Sequence, residues 1–107
     1  MKPYRLAFAG TPKIAVPCLA ALVADERFEI VAVITQPDMP AGRNLELTPP
    51  PIKTFATGHD LEVMQPQKIS QIADQLRGLE LDAIVVVAYA QIIPQSILDL
   101  PKYGCVN

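Results

Sequence analysis

A chain of 107 residues is the size of one domain, and with half of it hydrophobic and 19% charged it has apolar material for a core and no sign of disorder over most of its length. The formal net charge of -2 gives no general attraction to phosphate, so any nucleic-acid contact has to come from a local basic feature. Cys18 and Cys105, neither beside another metal ligand, argue against a disulfide framework or a metal site and read as small hydrophobes in a reducing compartment.

The chain start, Met1 to Arg5, lacks the apolar core of a signal peptide, and no apolar run reaches the roughly 20 residues of a membrane helix. A cytoplasmic protein without membrane contact is expected. Tyr4 to Ala9 reads as a first strand ended by Gly10, and Ile14 to Val23 as a helix. Phe28 to Thr35 is β-branched and apolar, a second strand. Gln36 to Pro51 is a long connection carrying Pro37, Pro40, Pro49, Pro50 and Pro51, and loops of that length in compact domains are usually functional or disordered. Leu61 to Met64 is a shorter third strand, and His59 precedes it in a polar turn. Ile69 to Leu79 fits an amphipathic helix with Ile69, Ile72, Ala73 and Leu76 on its apolar side. Ala83 to Ala88 is apolar at consecutive positions, as a strand buried on both faces must be. A last strand begins at about Gly104 and has hardly started at Asn107.

Strands alternating with helices predict an α/β, Rossmann-like doubly wound sheet, mainly parallel with helices on both faces, cut off at the start of its fifth strand. In that topology the first and fourth strands are neighbours at the switch point, where their carboxyl ends open a crevice. Gly10, Thr11 and Pro12, the segment from Tyr89 to Pro94, and Asn107 would then share one cleft. His59 would not, because the third strand lies on the far side of the first.

Four segments suit chemistry. Gly10 permits a sharp turn, Thr11 can cap a helix and Pro12 suits its first position; this is either an ordinary turn or an anion site. The glycine spacing of a dinucleotide fingerprint is missing, which argues against a nicotinamide cofactor. Arg43 follows Gly42 on a Pro-stiffened loop, either simply solvated or reaching for a phosphate. Tyr89 to Pro94 offers apolar walls and free main-chain groups to a flat heteroaromatic ligand, or is a plain buried connection. The amide of Asn107, at a strand end in a cleft, can stabilise a developing oxyanion.

Read together, Phe8-Ala9-Gly10-Thr11-Pro12, the run Gln36-Pro37-Asp38-Met39-Pro40-Ala41-Gly42-Arg43, the Pro-rich Thr48 to Thr54, Val85 to Pro94 and Gly104 to Asn107 resemble the methionyl-tRNA formyltransferase family across essentially the whole chain. The resemblance implies the N-terminal portion of a catalytic domain, residues 1–107, without the C-terminal domain that helps hold tRNA. It implies transfer of a formyl group from 10-formyltetrahydrofolate to the amino group of methionine on initiator tRNA. Asn107 matches the Asn of the family's Asn-His-Asp set, whose other two members fall beyond this sequence, so the chain by itself is expected to be inactive. By the same carry-over Tyr89, Gln91, Ile92 and Ile93 are the expected reduced-folate contacts and Arg43 the tRNA contact, although Asn44, Leu45 and Glu46 stand where relatives often carry Lys. The alternatives are a related folate-dependent enzyme that formylates a small amine, such as a sugar nucleotide or purine precursor, and a non-catalytic folate-binding fragment.

Overall fold

The computed structural model describes residues 2–107. Strand β1 (Tyr4–Gly10) lies at the middle of a five-stranded sheet and is paired on both sides. One neighbour is β2 (Phe28–Ile34) and the other β6 (Ala83–Val87); β5 (Val63–Met64) flanks β2 and β7 (Cys105–Val106) flanks β6. All four pairings in this sheet are parallel. This is the doubly wound order expected from the sequence, with the switch point between β1 and β6. An extra residue in β2 at Val31 shifts the register between Leu6 and Ala7, and such bulges increase local twist.

Residues of alternate parity on β1 serve different layers, as period-2 geometry demands. Ala7 and Ala9, with Ala32, Ile34 and Ile84, face a core completed by Ile69, Ile72, Leu76, Leu81 and Ile97. Phe8 and Val33 face the opposite core, made by Ala15, Leu19, Ile52 and Ala56. The second core sits under α1 (Val16–Ala24) and α2 (Pro51–Gly58), the first under α3 (Ala73–Gly78) and α4 (Gln95–Leu98). Fully buried side chains such as Phe8, Leu19, Ile34 and Ile84 contribute about 1.5–3 kcal/mol each to this sandwich of layers.

Several elements differ from expectation. The helix expected from Ile14 opens as a 3-10 turn at Lys13–Ala15 before α1, and the one expected from Ile69 does the same at Ile69–Ile72 before α3. Thr11 caps neither turn nor helix, because its hydroxyl donates instead to the Tyr89 carbonyl at 3.0 Å. The long connection after β2 is ordered: it holds an antiparallel hairpin of β3 (Met39–Ala41) and β4 (Glu46–Thr48), followed by α2 with Pro51 at its first turn. Gly42, with φ +77°, makes the hairpin turn. Helix α4 was not legible at all.

Both cysteines are free and half-buried. Among the described residues no helix is long and apolar enough to cross a membrane, and no group of three metal-ligating side chains occurs.

Candidate active site

The carboxyl ends of β1, β2, β6 and β7 converge, and their exit loops carry most of the residues singled out above. Gly10 ends β1 where a Cβ would lie 2.8 Å from the Val87 carbonyl oxygen and 2.8 Å from Phe8 Cε1, so only glycine lets the two central strands leave the sheet this close together.

On leaving β6 the backbone turns through two left-handed alanines, Ala88 at φ +52° and Ala90 at φ +77°. That conformation is disfavoured for any residue with a Cβ, by roughly 1–2 kcal/mol each, and persists only when the surroundings over-determine it. Here they do. Between the two alanines the Tyr89 ring is sunk in the core, 1% exposed, and burial pushes its phenol up to about 12. The Tyr89 carbonyl accepts from Thr11 Oγ1, and the amide of Gln91 joins two further segments, those after β2 and β5. Gln91 Oε1 accepts from Ile69 N at 3.0 Å, while its Nε2 donates to the Gln67 carbonyl at 2.9 Å and to Gln36 Oε1 at 2.8 Å.

Beside this loop lies a cavity of about 310 Å³ lined by Val86, Gln91, Ile93, Leu98, Cys105, Val106 and Asn107. No charged side chain lines it, and partial burial holds the Cys105 thiol above the usual thiol range. Apolar walls with a few convergent polar groups, at the lower end of the volumes typical of small-molecule sites, fit one flat ring rather than an extended ligand. Of the residues expected to contact a cofactor, Gln91 and Ile93 line the cavity. Tyr89 does not, since its ring supports the loop from within the core, and Ile92 is 94% exposed and points elsewhere.

Thr11 opens onto a second recess of about 530 Å³, shared with Gln36, Pro37, Asp38, Met39, Gln67 and Ala90. Asp38, one of its lining residues, is paired with Lys53 at 3.0 Å, with Gln65 Nε2 donating to the same carboxylate oxygen at 2.7 Å. The hydrogen bond from Gln65 and then that from Lys53 hold the Asp38 carboxyl below its ordinary range. Sequence reasoning passed over Gln36, Gln65 and Lys53, whose partners lie far along the chain.

Arg43 is exposed in the hairpin turn and, among the described residues, forms no ion pair. His59 ends α2, its ring stacked on Phe55 at 4.0 Å and its Nδ1 3.0 Å from the Phe55 carbonyl oxygen; it lines neither cavity.

Residues 4–107 match the model of a family described as formyl transferase. The chain belongs to the formyl transferase family. Among its relatives, a methionyl-tRNA formyltransferase of Geobacter sulfurreducens is 49% identical over all of this chain and 34% of its own length. Another from Halorhodospira halophila is 53% identical over 96% of this chain and 33% of its own length. The chain thus spans about a third of the length of the curated relatives it matches. Among solved formyl transferases, a phosphoribosylglycinamide formyltransferase from Bacillus halodurans superimposes with a TM-score of 0.67 over 94% of this chain and 53% of its own, at 13% identity, a likeness of fold alone.

Proposed function

We propose that the chain is the donor-binding part of a cytoplasmic methionyl-tRNA formyltransferase, which moves a formyl group from 10-formyltetrahydrofolate to the amino group of methionine on initiator tRNA. The observation that carries this reading is the meeting of Asn107, at the end of β7, with the braced loop after β6 around one neutral, largely apolar cavity. That cavity suits the donor: Ile93, Val86, Leu98 and Val106 would cover its ring, and Gln91 would keep the loop shaped to receive it. When bound, the donor supplies the formyl group. Asn107 is suited to donate its amide N–H to the formyl oxygen as charge grows there during attack by the amine. The apolar walls keep water from competing for the same carbon. Proton removal from the amine requires a base, and among the described residues His59 is the only histidine and belongs to a remote helix end. The second recess, with Thr11 and Asp38, and the Arg43 turn beyond it support an acceptor side across the Gln36–Gln91 partition.

The test uses the product of the complete reading frame that encodes this chain, assayed with a formyl-folate donor and either charged initiator tRNA or a small amine such as an amino-sugar nucleotide. Formylation of the tRNA is expected. Asn107→Ala should lower kcat about 100- to 1000-fold with little change in the KM for tRNA, the loss seen when one oxyanion donor is removed. Formylation of the small amine alone, or an Asn107→Ala enzyme with its parent's kcat, would overturn the reading.

A further inference from the structure

Gln36 follows β2 and lines the acceptor-side recess, yet its side chain is committed to the loop on the other side of the partition. Its Oε1 accepts from Gln91 Nε2 at 2.8 Å, and its own Nε2 lies 3.4 Å from the Ala90 carbonyl oxygen. The direction of every bond in this chain is set from its backbone ends. Ile69 N–H can only donate and the Gln67 carbonyl can only accept, so Gln91 has to turn its oxygen to the first and its nitrogen to the second. Gln36 must then offer oxygen to Gln91, which leaves its nitrogen for Ala90. That bond ties down a residue whose left-handed backbone is intrinsically disfavoured. Gln36 is itself fixed at its carbonyl, which accepts from Gln65 Nε2 at 3.1 Å.

We propose that Gln36 is a positioning residue for the donor cavity: it does not itself line that cavity, but through the Gln91 amide and the Ala90 carbonyl it fixes the loop that carries Ile93 to the cavity wall. The shape of the donor site therefore depends on a side chain that belongs to the opposite recess. This rests on the functional reading above.

The experiment uses the product of the complete reading frame, with 5-formyltetrahydrofolate as a stable probe in calorimetry and hydrogen exchange at the Ile69 amide as a readout that needs no ligand. Gln36→Leu should weaken folate binding about 2- to 10-fold, the worth of about one hydrogen bond. Gln91→Leu should weaken it at least as much, and the double variant should be no weaker than Gln91→Leu alone, because both act on one loop. Gln36→Glu keeps an acceptor for Gln91 but sets a carboxylate oxygen against the Ala90 carbonyl, so its affinity should also fall below the parent's. Ile69 exchange should quicken in Gln36→Leu. Effects that multiply in the double variant, or unchanged affinity and exchange in Gln36→Leu, would refute the assignment. If the parent protein binds no folate, the functional reading fails, and the Ile69 exchange then decides the amide link alone.

Discussion

Two segments leave the carboxyl end of the sheet with candidate ligand residues, and they are built in opposite ways. The loop from Ala88 to Pro94 has a buried tyrosine beneath it and hydrogen bonds to the segments after β1, β2 and β5. The hairpin of β3 and β4 buries nothing: every residue from Met39 to Pro49 is exposed, with Met39 at 62% and Leu45 and Leu47 each at 70%. Its hydrogen bonds are internal, such as Leu45 N to the Gly42 carbonyl, and only its base is tied down, where Asp38 meets Lys53 and Gln65. Local stability follows buried contacts, so the loop should open only with the whole sheet, and the hairpin far more readily. A fixed wall discriminates among small rings; a projecting arm with a cation at its tip reaches a large, charged partner.

Removing the tyrosine gives the strongest challenge to this contrast. Tyr89→Ala should cost about 3 kcal/mol or more in denaturant unfolding, as for other large-to-small changes of buried aromatics. A loss below about 1 kcal/mol would mean that the ring does not hold the loop. Tyr89→Phe should act in the other direction. The phenolic oxygen is buried with no hydrogen-bond partner among the described residues, so removing it should stabilise by about 1 kcal/mol; a loss would reveal a partner for the hydroxyl.

The base of the hairpin gives a subtler measure. Because the folded Asp38 carboxyl lies below its ordinary value of 3.8, its bonds to Gln65 and Lys53 stabilise the fold above that pH. Their contribution is lost as pH falls through the folded value. Carbon-detected NMR titration should find the Asp38 midpoint below 3.8, and Gln65→Leu should raise it. An unmoved midpoint would detach the hairpin from its anchor. The smallest effects belong to the arm itself: Arg43→Ala and Leu47→Ala should each change stability by less than about 0.5 kcal/mol. Arg43→Ala should still raise the KM for charged tRNA severalfold while sparing the folate constant, and equal rises in both would place the arginine's influence elsewhere.

The central strands were legible because burial on both faces leaves a mark that sequence carries, an apolar residue at every position, as in Ala83 to Val87. Asn107 followed from them, since parallel pairing beside β6 delivers it to the same end as Gly10. The hairpin was invisible for the converse reason. Neither of its faces is buried, and Met39-Pro40-Ala41 and Glu46-Leu47-Thr48 are too short to carry a sustained alternation, so Gly42 alone hints at the turn. Gln91 was expected as a ligand contact from the family resemblance, and it does line the cavity. Its partners stand 22 to 55 residues away, and nothing local reports that its amide is already fully engaged. Long-range bonding also overturns the capping role expected of Thr11, whose hydroxyl is drawn off the helix by a carbonyl 78 residues on.

The place of β1 at the middle of the sheet also has a consequence for biosynthesis. It can pair with β2 soon after both emerge from the ribosome, but its other edge waits for β6, where Arg5 meets Asp82 across 77 residues of chain. At bacterial or eukaryotic elongation rates that wait is about 4–15 s. For that interval Ala7, Phe8 and Ala9, which finish with no solvent exposure, stand on a half-paired strand of the nascent chain. A strand made before both of its neighbours is enclosed only when the later one arrives, so a ribosomal pause between Ile34 and Ala83 lengthens the period in which this strand can be captured by a neighbouring chain instead of by β6.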